Sequence, residues 1–243
     1  MMPTMPLALF DLDNTLVDRT SAFRRSAALL AAAYGLDPAE AVPFIVEVDD
    51  DGRALWEDWF PLMKERFGLA PGVDELMAAH RPRYVGEYVV DDATAAALAR
   101  LRAARWRIGI VTNGPATQED KIRATGLDEL VDGWAVSDLV GARKPAPAIF
   151  AAAADACGAT LEGAWMVGDS APADIAGAHR AGLRSIWLPR GRRWGDVAFV
   201  PDAFAARVGD AEPDLPPDFA PGAEAEDIPQ AVDLILAGAA PAP

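Results

Sequence analysis

Five short apolar runs bounded by turn residues punctuate this chain, and their spacing leaves little freedom of fold. Residues 6–10 (PLALF), 107–112 (RIGIVT), 134–137 (WAVS), 164–168 (AWMVG) and 184–188 (RSIWL) read as strands buried on both faces. A stretch of helical pattern precedes each of the last four, at 93–105, 118–125, 145–157 and 172–181. Gly126, Gly158 and Gly182 stand at their stops, and Pro145 and Pro172 near their starts. Such alternation predicts an α/β fold, a parallel sheet with helices on both faces. One interval breaks the rhythm: 96 residues, from Asp11 to Trp106, separate the first run from the second. A crossover with its helix needs about 30 residues in all, and 93–105 supplies that helix. The surplus therefore reads as an inserted helical domain at 18–89, with amphipathic segments at 22–34, 53–67 (Pro61 marking a break or start) and 73–88. The core is then 1–17 plus 90–243. Within it, 191–243 reads as an irregular acidic tail with one short helix at 228–236.

Charge narrows the function classes. Lys and Arg number 22 against 37 Asp and Glu, a net −15, which disfavours a nucleic-acid surface or an anionic membrane as partner. No apolar run approaches the roughly 18 residues a membrane span needs. The single cysteine, Cys157, excludes an internal disulfide framework and a Cys-cluster metal site; it reads as a small buried residue. The start, MMPTMPLALFDLD, has no basic stretch and meets Asp11 at once, which does not read as a secretory leader. The expectation is a cytoplasmic protein.

In open α/β sheets ligands gather beyond the carboxyl ends of the strands, so the residues that follow each run matter. After the first come Asp11, Asp13 and Thr15; after the second, Thr112-Asn113-Gly114. After 164–168 come Asp169 and, five residues on, Asp174. Lys144, one of only three lysines, precedes the helix that starts near Pro145. Each piece alone has a plain reading: strand-end Asp residues cap helices, Thr-Asn-Gly makes a turn, and Lys-Pro opens a helix. Their coincidence at one rim carries the argument. Four carboxylates together repel unless protons or a cation join them. An oxygen-only ligand set suits Mg²⁺ before Zn²⁺. A cation of that kind with Lys144 would admit a dianionic phosphate.

The sequences DLDNTL at 11–16, VTNG at 111–114, RKP at 143–145 and GDSAPAD at 168–174 resemble, in order, the four motifs of the haloacid dehalogenase-like hydrolases. The likeness is to their phosphatase branch with a helical cap inserted after the first strand, and it covers about 6–190. It implies a Rossmann-like doubly wound core with an inserted α-helical cap. It also implies an Mg²⁺-dependent phosphatase of a small-molecule phosphomonoester, working through an aspartyl-phosphate. Asp11 would be the nucleophile and Asp13 the general acid and then base. Thr112 and the Asn113 backbone would hold phosphoryl oxygens that Lys144 neutralises. The metal would be held by Asp11, the Asp13 carbonyl and Asp169, with Asp174 in support. A neighbouring anionic cluster is expected to keep Asp13 protonated for its first task.

Three alternatives compete. A haloacid-type dehalogenase needs no acid two residues after the nucleophile, and Asp13 with Asp169 and Asp174 argues against it. A phosphomutase or phosphotransferase shares the whole rim. A catalytically silent binding protein fits poorly with an intact rim. Substrate choice falls to the cap. There Arg24, Arg25 and Arg53 are candidates for a second anionic group. Trp56, in a stripe with Trp59, Phe60, Met63 and Phe67, reads as core packing first and as a wall for an apolar leaving group second. Residues 49–52 (DDDG) read as a surface loop rather than a calcium site. His80 and His179 receive no role. A monomer is expected, or a homodimer formed through the cap.

Overall fold

The computed structural model describes residues 5–196 and 219–238, which form two compact units, one of 5–17, 89–196 and 219–238 and the other of 18–88. The first is built on six parallel strands: β1 (Leu7–Phe10), β2 (Arg107–Thr112), β3 (Gly133–Val136), β4 (Trp165–Gly168), β5 (Arg184–Trp187) and β6 (Ala223–Glu224). Their order across the sheet is β3-β2-β1-β4-β5-β6. Strand order reverses around β1, which pairs with β2 on one side and β4 on the other, Phe10 facing both Ile110 and Val167. Every residue of β1 is buried, as expected for a central parallel strand covered on both faces. Alternation sends Leu7 and Leu9 to one face. There, with Val111, Ala135 and Met166, they pack against Ile149, Phe150, Ala153 and Cys157.

The helices of this unit are α5 (Asp92–Ala103), α6 (Thr117–Ala124), α7 (Leu127–Leu130), α8 (Ser137–Val140), α9 (Pro147–Ala156), α10 (Ala176–Arg180) and α11 (Ile228–Gly238). The sequence places four of these, α5, α6, α9 and α11, to within about two residues. The expected helix at 172–181 is instead a wide π-type turn, Ala171–Ile175, running into α10. Both Asp174 N–H and Ile175 N–H donate to Ser170 O. The tail is less irregular than expected: β6 extends the sheet at the β5 edge, with Ala225 N–H donating to Trp187 O at 3.0 Å. Two residues are too few to leave a periodic trace. The expectation for 197–218 lies outside the described residues.

The second unit holds α1 (Arg19–Ala33), α2 (Pro38–Asp49), α3 (Trp56–Phe67) and α4 (Val73–Gly86). Helix α2 escaped the periodicity reading, although Asp37 as N-cap, Pro38 at the first position and Glu40 in the first turn announce it. Pro61, read as a break, lies inside α3. At the sixth helical position its missing N–H removes one intrahelical bond without ending the helix. Asp49, assigned from sequence to a surface loop, is buried at the end of α2. It receives two hydrogen bonds from Arg19, at 2.9 and 2.7 Å. Trp56, Trp59, Phe60, His80 and Tyr84 form one aromatic cluster in this unit. No helix among the described residues is long and apolar enough to cross a membrane.

Candidate active site

Asp11 leaves β1 with its N–H still in the sheet, donating to Val167 O at 2.9 Å, so its side chain sits where strand order reverses. The chain then turns tightly: Thr15, Leu16 and Val17 N–H all donate to Leu12 O, and Asn14 takes a left-handed φ of 57°. Arg190 holds the turn from outside, donating to the carbonyls of Asn14 at 2.7 Å and Thr15 at 3.1 Å.

The anionic half is bound to one buried ammonium. Lys144 Nζ donates to Asp11 Oδ1 at 2.6 Å and to Asp174 Oδ1 at 2.7 Å. Asp174 Oδ2 accepts from Ser170 N–H at 2.9 Å, so the π-type turn aims this carboxylate back toward the lysine. Gly168 makes the approach possible: a Cβ there would stand 2.2 Å from Asp174 Oδ2. Asp174 thus meets Lys144 directly. Asp169 accepts from Arg192 on Oδ2 at 2.8 Å, and its carbonyl accepts from Trp187 Nε1 and Arg192.

Burial raises the Asp11 carboxyl well above its usual range; Lys144 opposes this, while Asp174 and Asp169 add to it. Asp169 is raised to about 6 by burial and by Asp174, against the pull of Arg192. Burial works against the Lys144 ammonium, but the Asp11 and Asp174 carboxylates outweigh it and raise its pKa. Asp11 Oδ2 and Asp169 Oδ1 receive no hydrogen bond among the described residues. Oxygens of Asp11, Asp169 and Asp174 lie within 4.8 Å of one another. So compact an all-oxygen set, with the Asp11 and Asp169 carboxyls raised by burial, fits a hard divalent cation.

Asp13 has other neighbours. Lys121 Nζ donates to both of its oxygens at 2.9 Å, and Gln118 Nε2 donates to Oδ2 at 2.9 Å. These contacts on Asp13 come from a cation and an amide, both carried by α6. Gln118 Nε2 also reaches Thr112 Oγ1 at 2.6 Å. The Asn113 side chain is taken up with the backbone of Lys144, accepting from its N–H at 2.8 Å and donating to its carbonyl at 3.0 Å. Asp11, Asp13, Thr112, Asn113, Lys144, Asp169 and Asp174 thus form one linked set at the carboxyl ends of β1, β2 and β4.

The remaining candidates lie in the helical unit. Arg24 is exposed on α1, Arg25 is paired with Glu87, and Arg53 with Asp50. Trp56 is half-buried among aromatic rings, with Phe60 at 5.6 Å and His80 at 5.2 Å. Sequence reading missed Gln118, Lys121, Arg190 and Arg192. The first two stand three apart, a same-face helical spacing that could have flagged them. The arginines reach back from beyond β5 and leave no local signal.

The haloacid dehalogenase-like hydrolase family matches residues 5–182. A glyceraldehyde 3-phosphate phosphatase of Pyrococcus abyssi is 32% identical over 196 residues, covering 75% of this chain and 81% of its own. A phosphoglycolate phosphatase of Cereibacter sphaeroides is 34% identical, covering 87% and 97%. Among solved structures, a phosphatase of the same superfamily from Thermococcus onnurineus superposes with a TM-score of 0.60 at 26% identity, over 95% of this chain and 98% of that one. With its motif residues gathered at one rim of a parallel sheet, the chain belongs to the haloacid dehalogenase-like hydrolases.

Proposed function

We propose that the protein is an Mg²⁺-dependent phosphatase of a small-molecule phosphomonoester, working through an aspartyl-phosphate. The observation that carries this reading is the Lys144 ammonium fixed between Asp11 and Asp174, beside Asp169. One buried cation in an acidic cluster suits a phosphoryl group better than it suits a neutral ester. The named phosphatase relatives support the same class, and their substrates, glyceraldehyde 3-phosphate, phosphoglycolate and phosphoserine, are all small.

In this reading Asp11 attacks phosphorus, an Asp11 O–P bond forms, and the ester O–P bond breaks. Asp13 gives the departing oxygen its proton, then takes one from the water that attacks phosphorus and breaks the Asp11 O–P bond. Lys144, the Thr112 hydroxyl and the Asn113 N–H meet the non-bridging oxygens. Asp11, the Asp13 carbonyl and Asp169 would hold Mg²⁺, which neutralises phosphoryl charge. Asp174 keeps Lys144 in place. Residues 18–89 would serve as the inserted cap domain that chooses the ester, with Arg24, Arg53 and Trp56 its candidate contacts, and 1–17 with 90–243 as the core. The setting proposed is cytoplasmic, as a monomer or a dimer formed through the helical domain.

The test is hydrolysis of p-nitrophenyl phosphate and a panel of small phosphate esters by purified protein, with Mg²⁺ and with EDTA, beside Asp11→Asn. Turnover that requires the metal and vanishes in the variant is expected. Turnover surviving in Asp11→Asn would remove the assigned nucleophile.

A further inference from the structure

Two side chains of α6 join the site although no motif residue demands them. Gln118 and Lys121 lie three apart, on one helix face, and both are buried, at 4% and 1% exposure. Burying a lysine so fully is unfavourable unless its charge is met, and here it is met by both oxygens of Asp13. The chain has only three lysines, and two of them, Lys121 and Lys144, are buried against the carboxylates that follow β1.

The hydrogen-bond directions are informative. Asp13 presents only acceptors to the amide of Gln118, so the atom facing it is the Nε2 donor. The second proton of that nitrogen goes to Thr112 Oγ1 at 2.6 Å, which makes the Thr112 hydroxyl an acceptor in this bond. Its own proton, for which the described residues supply only a long 3.5 Å contact to Asn113 O, is then available to a phosphoryl oxygen. Gly114 leaves room for this arrangement, because a Cβ there would stand 2.8 Å from Gln118 Cγ.

We propose that Gln118 and Lys121 are positioning residues for the phosphatase reaction, Lys121 fixing the Asp13 carboxylate and Gln118 turning the Thr112 hydroxyl toward the phosphoryl group. This rests on the phosphatase reading above. Lys121 holds Asp13 where it must accept the proton of the attacking water. Its loss therefore slows hydrolysis of the aspartyl-phosphate more than its formation. Gln118 acts instead on how phosphate is held.

The experiment is stopped-flow hydrolysis of p-nitrophenyl phosphate with Mg²⁺ by the full chain, with inhibition by inorganic phosphate, for wild type, Lys121→Met, Gln118→Leu, Asp13→Asn and Lys121→Met/Asp13→Asn. Lys121→Met is expected to give a burst of about one p-nitrophenolate per chain, then a steady rate lower by on the order of 10²-fold, with phosphate inhibition unchanged. Gln118→Leu is expected to raise KM and the phosphate inhibition constant together by roughly tenfold, one weakened phosphate contact, with a smaller fall in kcat. Because Lys121 acts through Asp13, the double variant should be no slower than Asp13→Asn alone.

Parallel loss of burst and steady rate with KM unchanged would mean a structural role only, and would overturn the inference. So would unaltered kinetics, or a double variant clearly slower than Asp13→Asn. Those outcomes leave the phosphatase reading standing if wild type turns over the ester and Asp11→Asn does not. A wild type silent toward every ester takes both away.

Discussion

At the scale of single residues, the site depends on small groups as much as on charged ones. Gly168 ends β4 where the Asp174 carboxylate passes within 2.2 Å of its missing Cβ. Gly168→Ala therefore displaces Asp174 from Ser170 N–H and from Lys144, and the ammonium loses one of its two carboxylate partners. Overpacking of this kind costs about 1–3 kcal/mol of stability. The shifted lysine is expected to lower turnover by on the order of 10²-fold, as a misplacement of about 1 Å can. Urea unfolding and kcat on the best ester measure the two effects, and turnover within twofold of wild type would sink the account. Cys157 shows the opposite case. Burial pushes its thiol up to about 12, and it fills space beside Gly109 as a small apolar residue would.

Among elements, the pairing of α1 with α2 rests on a buried charge. Burial raises the Asp49 carboxyl and Arg19 opposes it; Asp49 also accepts from Gly52 N–H at 2.9 Å and so ties down the turn after α2. Arg19→Leu leaves Asp49 buried without its guanidinium, and is expected to cost the helical unit about 3–5 kcal/mol. Arg19→Leu with Asp49→Leu should recover most of that loss, because the penalty lies in the stranded charge rather than in the missing bond. Denaturant unfolding of both variants tests this. A single variant within about 1 kcal/mol of wild type contradicts it. In the core unit, α6 does comparable work at the site, since one helix face carries both Gln118 and Lys121 to Asp13.

For the molecule as a whole, charge and pH dependence follow from what is buried. A chain of net −15 repels a phosphate ester at long range. The described site answers with Lys121, Lys144, Arg190 and Arg192, each hydrogen-bonded to its turns or carboxylates. His80 sets a stability limit in acid. Among the described residues both ring nitrogens lack hydrogen-bond partners amid the aromatic cluster, and burial, with Arg83 adding to it, lowers its pKa from 6.5 to about 4. The unfolded chain binds this proton near pH 6.5 and the folded one only near 4. The contribution is thus complete above 6.5 and is lost as pH falls between those values, by roughly 3 kcal/mol. His80→Phe is expected to flatten the decline in stability between pH 7 and 4.5 relative to wild type. Identical slopes for the two proteins would contradict it.

The parallel sheet and the order of residues along its rim are legible in the chain itself. These depend on local pattern: buried runs of β1 type, Gly stops, and carboxylates that strand ends must deliver to one edge. Local pattern could not give β6, whose two residues have no period, nor the π-type turn, since Ser-Ala-Pro-Ala-Asp is compatible with an ordinary helix start. A third element missed, α2, was legible in Asp37-Pro38 but lacked a clear amphipathic stripe. Which charge faces which is settled by packing between distant segments. Asp13 was expected among anions, and it lies against Lys121, 108 residues away. Asp49 was expected in solvent, and it is buried on Arg19. Spacing along a chain fixes which element carries a group, but the Coulomb energy that sets its protonation depends on distances closed by packing.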